Sequence, residues 1–270
     1  MNPPPASFDA GQLRLYELLV CPRCRGSLSA SHGGLYCNGC QAEWKVREGI
    51  PVLVDENRAT PQSSEAVAQP KRSVEPGPAE KSRISRRRMH RNRTQLHIVT
   101  RLLSSLPASR TLMNLPCSYG RLSVPMQSAS QLLIEADLDI QRVGHAVEHA
   151  MNPHRVTGLC CDAFNLPFQE DSVDGIACIR FAHHLRSESA QELLLHELLR
   201  VARGFVLFSY NELHSLPNLW RRARLKSPEG CISRHEVATV ASLHNAEITR
   251  VYTTSPIGSR HAYALIQKNT

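Results

Sequence analysis

The sequence predicts an α/β fold with a seven-stranded, mostly parallel sheet that ends in an antiparallel hairpin, preceded by a small cysteine-rich module. Two C-x-x-C pairs near the start predict the module. Apolar runs of strand length then alternate with helical patterns, which requires crossover connections between parallel strands. The last two runs lie close together and favour a hairpin. At 270 residues and 41% hydrophobic content, the chain is long enough to bury both units.

Composition narrows the class of protein. No stretch approaches the roughly 20 apolar residues of a membrane span, and the N-terminus lacks the basic start and apolar core of a signal peptide. Nine cysteines in a chain without an export signal favour metal binding over disulfides. We therefore expect a cytoplasmic protein in a reduced compartment.

The formal net charge of +8 is concentrated in one stretch. Between Lys71 and Arg93 there are nine Lys and Arg against two Glu, which places +7 there and leaves the rest of the chain near neutral. The basic segment 81–93 predicts a weak, non-specific contact with nucleic-acid phosphates. A solvated linker is the alternative.

Composition also divides the chain into three parts. Residues 13–54 hold the first cysteines and end in an apolar run. Residues 55–81 are rich in Pro, Ser, Gln, Ala and Glu, which predicts a flexible linker because few apolar groups offset the entropy of ordering. Residues 82–270 form the second domain, which opens with a basic amphipathic helix. Its seven strands are predicted at 111–115, 131–136, 155–160, 175–179, 205–209, 247–254 and 262–267.

The cysteines of the module have the spacing of a metal site. They form the pattern C-x2-C-x12-C-x2-C at Cys21, Cys24, Cys37 and Cys40. Each pair can wrap a tight knuckle around one side of a tetrahedral Zn²⁺ ion, and Gly33 and Gly34 supply the hairpin between the knuckles. Four thiolates leave no open coordination position, so the predicted site is structural. Reduced cysteines buried in the core are the alternative, but they would not explain why the two pairs have the same internal spacing.

The ends of this module resemble a known zinc ribbon. The segment Leu18–Cys24 and the ending Gly49–Leu53 are similar to the ribbon of the small activator subunit of tRNA, rRNA and protein methyltransferases. Relatives of that ribbon are fused to methyltransferases. The resemblance implies docking or stabilisation rather than a particular substrate.

The segment 112–121 resembles the glycine-rich turn D-x-G-C-G-x-G-R of class I S-adenosylmethionine-dependent methyltransferases of the type 11-like group, which have a Rossmann-like sheet. The residues that match are Cys117, Gly120 and Arg121. Those that depart are Asn114 in place of the acid, Pro116 in place of the first glycine and Ser118 in place of the second. Asn114 cannot supply the acid's charge, and Pro116 lacks a backbone donor.

Later landmarks follow at the family's spacing. Asp137 stands just past an apolar run, where the resemblance implies the carboxylate that accepts both ribose hydroxyls; Glu135 and Asp139 are competitors. Asp162 lies in a segment close to G-D-A-x-x-L-P-F, where the carboxylate accepts the adenine amino hydrogen and the backbone of Ala163 lies against the ring. The cofactor contacts implied by the resemblance are Asn114, Pro116, Cys117, Gly120, Asp137, Asp162, Ala163 and Arg180.

Methyl transfer needs in-line positioning more than acid–base groups, because the sulfonium is an excellent leaving group. His183 and His184 follow the fourth strand, at the edge where open α/β sheets bind ligands. Either could orient an acceptor or remove its proton, and structural packing is the alternative for both. The residues at comparable edges are Arg180, Tyr210, Asn211 and His214.

The acceptor is the least specified part of the predicted function. The insert 211–231 carries Trp220 and several basic residues where class I enzymes often build an acceptor lid, which suits an anionic acceptor. A solvated basic helix explains the same residues. We therefore predict a methyltransferase acting on an unidentified anionic small-molecule, lipid or saccharide acceptor. The alternatives are an RNA methyltransferase and a catalytically silent scaffold that acts through its zinc ribbon.

Replacing Arg86, Arg87 and Arg88 with Ala tests the basic segment. If these side chains contact phosphates, the triple variant binds RNA more weakly, and the affinity of the parent falls steeply between about 50 and about 200 mM salt. Fluorescence anisotropy with a labelled single-stranded RNA measures both effects. A variant with three arginines replaced outside 81–93 controls for the loss of net charge. Equal affinities of the triple variant and the parent would identify the segment as a solvated linker.

Overall fold

The strands of the described residues form one continuous sheet. A computed structural model describes residues 10–31, 33–55, 78–223, 230–254 and 259–269. The strands in these ranges are β1 Leu28–Ser31, β2 Gly34–Cys37, β3 Glu43–Arg47, β4 Ile50–Leu53, β5 Ser109–Asn114, β6 Ser130–Asp137, β7 Val156–Cys161, β8 Val173–Cys178, β9 Ala202–Asn211, β10 Ala246–Thr253 and β11 His261–Lys268. Their order is β1-β2-β3-β4-β7-β6-β5-β8-β9-β11-β10.

Helices connect most of the strands after residue 108. The α-helices in the described ranges are α1 Ala10–Leu18, α2 Pro78–Leu103, α3 Ser123–Ser128, α4 Ile140–Glu148, α5 Glu188–Val201, α6 Leu216–Ala223 and α7 Arg234–Leu243. Side chains fix three of their starts: Asp139 caps α4, Ser187 caps α5, and Ser233 forms a reciprocal capping box with Glu236 on α7. Within the described part of the chain, no helix is both long and apolar enough to cross a membrane.

The predicted α/β fold is confirmed, but the number of strands in the sheet is corrected. All seven predicted strands are present as β5 to β11, parallel up to β9 and antiparallel at β11 and β10. The sheet has eleven strands because β4 pairs in parallel with β7, Val52 opposite Cys160 and Leu53 opposite Cys161. The β4 sequence is apolar and almost wholly buried, as a strand inside a parallel sheet must be.

The order of the parallel strands reverses at β5. The chain runs from β5 outward to β6 and β7 on one side, and then returns to β8 and β9 on the other. At such a switch point the loops separate and leave a crevice outside the carboxyl ends of the strands. We call this side of the sheet the carboxyl edge; the loops that follow β5, β6, β7 and β8 all lie on it.

Helices cover both faces of the sheet. In β5, Leu112 belongs to the same hydrophobic cluster as Val99 of α2, whereas Met113 belongs to the cluster that contains Leu195 of α5 and Val240 of α7. Neighbouring residues of a strand point to opposite faces, so this alternation buries β5 on both sides.

Helix α2 is longer than the predicted leading helix. It begins at Pro78 instead of Ser82, and its buried residues have the spacing of one helical face: Gln95, Ile98, Val99, Leu102 and Leu103. The side chains of residues 81–88, which make up most of the basic segment, lie outside the described residues. Residues 56–77 of the predicted linker and 224–229 of the predicted insert lie outside them as well.

A substitution of Phe168 tests the packing at the junction between the cysteine-rich module and the rest of the sheet. The side chain of Phe168 is fully buried, and its backbone forms a bridge with Leu19. Phe168→Ala should lower the free energy of unfolding by about 3–5 kcal/mol, because the lost ring leaves a cavity. Denaturant unfolding followed by circular dichroism measures this. Leu243, which is 70% exposed, supplies the control: Leu243→Ala should cost less than about 0.5 kcal/mol. Equal losses in the two variants would contradict the packing of Phe168.

Candidate functional site

The four predicted metal ligands converge in the module. The Sγ atoms of Cys21, Cys24, Cys37 and Cys40 all lie within 4.8 Å of one another. Two of the separations are 3.7 Å, between Cys21 and Cys40, and 3.4 Å, between Cys24 and Cys37. Tetrahedral Zn²⁺ with Zn–S bonds of about 2.3 Å needs sulfurs about 3.8 Å apart. The four thiolates therefore fit a Zn²⁺ ion as a closed, structural site.

Two equivalent turns present these sulfurs. The N–H of Arg25 donates to the carbonyl of Cys21 at 2.8 Å, and the N–H of Gln41 donates to the carbonyl of Cys37 at 3.0 Å. Arg25 and Gln41 both adopt a φ of 60°. At Gly26 a Cβ would lie 3.1 Å from the Sγ of Cys24, which is too close for an unstrained contact. The identical spacing of the two C-x-x-C pairs thus corresponds to two turns of the same conformation.

The first knuckle contacts the β7 loop, which we define as residues 162–168. The guanidinium group of Arg25 donates to the side-chain oxygen of Asn165 at 2.8 Å. In return, the side-chain amide of Asn165 donates to the carbonyl of Pro22 at 3.0 Å. The N–H of Val20 donates to a further carbonyl of the loop at 2.9 Å. The module therefore braces the β7 loop from one side.

Helix α5 holds the other side of the β7 loop. A carboxylate oxygen of Glu197 accepts the N–H of Leu166 at 2.7 Å. Arg200 donates to the carbonyl of Phe168 at 2.9 Å and forms an ion pair with Glu197 at 2.7 Å. Backbone groups of the β7 loop thus have hydrogen-bond partners both in the module and in α5. These contacts stabilise the conformation of the loop.

Asp162 and Ala163 open the β7 loop, and both are buried. The Oδ1 atom of Asp162 accepts the N–H of Phe164 at 2.9 Å, which closes a tight turn. Asp137 is registered opposite Cys160 in the neighbouring strand. Asp162 therefore lies two residues beyond that pair, on the same edge as Asp137.

The turn after β5 has the close backbone packing expected of a ligand-binding turn. The N–H of Cys117 donates to the carbonyl of Ala136 at 2.8 Å, and the peptide bond before Pro116 is cis. Gly120 has a φ of 73°, and a Cβ there would lie 2.9 Å from the Oγ of Ser123. Glycine is therefore required at position 120 for both conformation and space. Cys117 is buried, and burial raises the pKa of its thiol, which disfavours the nucleophilic thiolate.

Asp137 ties this turn to the end of β6. One carboxylate oxygen accepts the N–H of Ser118 at 3.0 Å and the other accepts the N–H of Asp139 at 3.1 Å. The guanidinium group of Arg142 lies 3.8 Å away. Burial raises the pKa of Asp137, and the two backbone hydrogen bonds oppose that rise. Each oxygen of a carboxylate can accept a second donor, so Asp137 retains the capacity to bind hydroxyl groups.

The competitor Glu135 makes buried hydrogen bonds that the sequence did not indicate. It is fully buried and registered opposite Asn114, whose side-chain amide donates to it at 2.7 Å. The hydroxyl of Ser123 also donates to it. Burial raises the pKa of Glu135 to about 7, and these hydrogen bonds oppose the shift. A carboxyl group thus lies one strand away from Asn114, which stands where the family pattern has its acid.

Arg180 and His183 lie beside β8, on the other side of the switch point. The N–H of Arg180 donates to the hydroxyl of Ser209 at 2.7 Å, and its guanidinium group donates to Asn92 of α2 at 3.4 Å. The φ of Arg180 is 63°, an uncommon conformation for a side chain of this size. Arg180, which the resemblance implies as a cofactor contact, therefore contacts α2.

His183 belongs to a group of three histidines. Its ring centroid lies 4.2 Å from that of His184 and 5.4 Å from that of His261. Burial and the nearby basic side chains lower the pKa of His183 to about 3, so its imidazole is neutral at neutral pH. Sequence analysis missed His261, which begins β11 and is brought beside His183 only by the pairing of β11 with β9.

The other residues named from the sequence have the following positions, with Asn211 registered opposite His261. Tyr210 is buried, with its ring stacked on Phe208, and Asn211 donates to the carbonyl of Gly230 at 3.4 Å. His214 is exposed, and Trp220 is 65% exposed on α6. The strand cysteines are all buried: Cys160, Cys161 and Cys178.

Comparisons with known proteins match both parts of the chain. A family model described as Trm112p-like protein matches residues 12–49, and one described as methyltransferase domain matches residues 113–204. Over 50 residues the chain is 50% identical to a UPF0434 protein of Burkholderia thailandensis, covering 17% of this chain and 74% of that protein. The match to a UPF0434 protein of Paraburkholderia phymatum is also 50% identical and covers 75% of it. The chain belongs to the Trm112p-like UPF0434 family. Here the Trm112p-like module is joined to a methyltransferase domain.

Solved structures identify the fold of the methyltransferase domain. Magnesium protoporphyrin IX methyltransferase from Synechocystis PCC 6803, with bound SAH, aligns with a TM-score of 0.56 at 18% identity, covering 67% of this chain and 85% of that one. A possible exported protein from Bordetella parapertussis aligns with a TM-score of 0.54 at 11% identity, covering 77% of this chain and 78% of that one. At these identities the likeness shows the fold, which is the α/β methyltransferase fold.

Cys37→Ser tests the metal site of the Trm112p-like module. The parent should contain about one zinc per chain, and the variant should lose the metal and unfold at a lower temperature, because the ion contributes to the folding of the module. Elemental analysis and thermal unfolding with and without a chelator measure both effects. Cys231→Ser is the matched control, a buried cysteine outside the cluster, and should retain the zinc. A metal-free parent whose unfolding is insensitive to the chelator would remove the site.

Proposed function

We propose that the methyltransferase domain binds S-adenosylmethionine at the carboxyl ends of β5, β6 and β7 and transfers its methyl group to an acceptor beside β8. The observation that carries the proposal is the placement of Asp137 and Asp162 at neighbouring positions of one edge, next to the turn that contains Gly120. When bound, the cofactor supplies a methyl group on a sulfonium, which is an activated leaving group.

The chain's own residues divide the recognition of such a cofactor among them. Asp137 would accept the two ribose hydroxyls through the lone pairs that its backbone donors leave available. Asp162 would accept the adenine amino group, and the backbone of Ala163 would lie against the adenine ring. The turn from Asn114 through Pro116 and Cys117 would approach the methionine part closely, because Gly120 carries no side chain.

The Trm112p-like module would act on this site through the β7 loop. Arg25 and the carbonyl of Pro22 hold the loop at Asn165 from the module side, while Glu197 and Arg200 hold it from α5. Asp162 is therefore held in place before any ligand arrives. A site whose contacts are organised in advance loses less conformational entropy on binding, which favours affinity.

His183 and His184 would orient the acceptor. A low pKa keeps the imidazole of His183 neutral, so it can accept a hydrogen bond from a hydroxyl or an amine. A base with a pKa of about 3 removes protons poorly near neutral pH. We therefore assign positioning, and not general-base catalysis, to the free protein's His183.

A catalytically silent scaffold is the second candidate function. It is favoured by the neutral Asn114 and by the backbone donors that already occupy Asp137. Methylation of RNA stays a prediction from the basic segment 81–93. Binding of the cofactor product separates the enzyme from the scaffold without knowledge of the acceptor.

Isothermal titration calorimetry with S-adenosylhomocysteine tests the proposal. The parent should bind it with a Kd in the micromolar range, and Asp137→Ala should weaken binding by roughly 30- to 150-fold, corresponding to about 2–3 kcal/mol for a lost charge-assisted acceptor. Asp162→Ala should weaken it less, since a single adenine hydrogen bond is lost. Asp171→Ala, which removes an exposed carboxylate that pairs with Lys268, should bind like the parent.

Two results would contradict this assignment. A parent that is folded by circular dichroism and yet shows no detectable binding would favour the scaffold. Binding that Asp137→Ala leaves unchanged would mean that another carboxylate holds the ribose.

A further inference from the structure

A cluster of basic side chains lies on the β8 side of the carboxyl edge, separate from the proposed cofactor contacts. It draws on four elements of the fold: α2, the turn after β5, the segment after β8 and the start of β11. We call it the basic cluster, and its members are Arg91, Arg121, Arg180, His183 and His261. Asn92 joins two of them, because its side-chain oxygen accepts one hydrogen bond from Arg121 and one from Arg180, both at 3.4 Å.

The electrostatic field in the basic cluster is positive. Burial lowers the pKa of His183, and the nearby side chains that lower it further are all basic: His184, His261, Arg180 and Arg91. Burial also lowers the pKa of His261, again with help from basic neighbours only, Arg260, Arg180 and Arg91. The positive charge is therefore carried by the arginines, and guanidinium groups held together in this way favour the binding of an anion among them.

Helix α2 holds two of the arginines, Arg121 and Arg180, whereas Arg91 on the helix itself is exposed. Gln95, which is fully buried on α2, accepts a hydrogen bond from Arg121, and Asn92 one turn earlier contacts both Arg121 and Arg180. The side chains of Arg121, Arg180, His183 and His261 are half-buried. An ordinary solvated basic face does not half-bury guanidinium groups that come from separate segments, as Arg121 and Arg180 do here. A guanidinium group fixed in this way is organised in advance for an oxyanion.

The basic cluster lies on the side of the switch point opposite the proposed cofactor contacts. Strand β5 lies between β6, which carries Asp137, and β8, which precedes Arg180 and His183. A ligand in the cluster would therefore face a cofactor held by Asp137 across the switch point. That is the place where a methyl acceptor must lie.

We infer that the basic cluster binds an oxyanion, a phosphate or a carboxylate, carried by the methyl acceptor. The assignment of this ligand as the acceptor rests on the proposed function, whereas the binding of the anion does not. The guanidinium group of an arginine can bind either kind of oxyanion by donating two parallel N–H hydrogen bonds. The negative charge of the acceptor would also offset the basic neighbours of His183 and raise the pKa of that residue towards neutrality. The acceptor itself would thereby improve His183 as a base.

The test is an NMR titration of the full-length ¹⁵N-labelled protein at constant ionic strength, with sodium phosphate in one series and sodium acetate in another. The parent should show saturable shifts around Arg180 and His183 in at least one series, and the tighter series identifies the kind of oxyanion. Arg180→Met should weaken that binding at least tenfold. Arg110→Met is the matched control, because Arg110 is exposed at the amino end of β5, on the opposite edge of the sheet.

The outcomes separate this inference from the proposed function. Loss of binding in Arg180→Met with retention in Arg110→Met supports the basic cluster. No saturable binding of either anion by the parent, or equal weakening in both variants, would overturn it. S-adenosylhomocysteine binding is measured on the same samples. If that binding is absent while the anion still binds through Arg180, the methyltransferase proposal fails and the anion site stands.

Discussion

The parallel pairing of β4 with β7 is the contact on which the arrangement of the whole molecule depends. Without it, β7 would be an edge strand with a row of unpaired backbone groups. The four strands of the module, each of four or five residues, are too short to form a stable core of their own. The pairing covers the edge of one unit and gives the other a surface to pack on. The cysteine cluster adds the second anchor, since it fixes the knuckle that carries Arg25 against the β7 loop.

This arrangement links a structural metal site to the proposed ligand-binding edge through few steps. The sulfurs fix the turn that ends at Arg25, Arg25 contacts Asn165, and Asn165 lies three residues after Asp162 in the same turn. Each step is a direct hydrogen bond or a bonded neighbour. The module therefore contacts the loop that carries Asp162 at the carboxyl edge.

Local signals in the sequence were sufficient for the elements of the fold. The identical spacing of the C-x-x-C pairs predicted the two turns, and the spacing of apolar runs predicted all seven strands of the second domain, because turn chemistry and side-chain alternation act between near neighbours.

The eleven-stranded sheet could not be predicted in this way. The pairing of β4 with β7 joins segments that are far apart in the chain, and an apolar run does not specify its partner. The contact of Arg25 with Asn165 spans 140 residues, and the neighbourhood of His183 and His261 depends on β11 inserting next to β9. The hydrogen bond of Glu135 with Asn114 could not be predicted either, because only the register of β5 with β6 reveals the partner.

The Trm112p-like module and the methyltransferase domain share one polypeptide, so the pairing of β4 with β7 is an intramolecular contact. Two separate subunits would associate to an extent set by their concentrations and would come apart on dilution. Within one chain the relevant quantity is the effective concentration, which is of millimolar order for short tethers. A separate Trm112p-like protein would have to exceed that concentration to displace the module of the same chain from β7. The stoichiometry is fixed at synthesis, and the bracing of the β7 loop does not vary with the abundance of the protein.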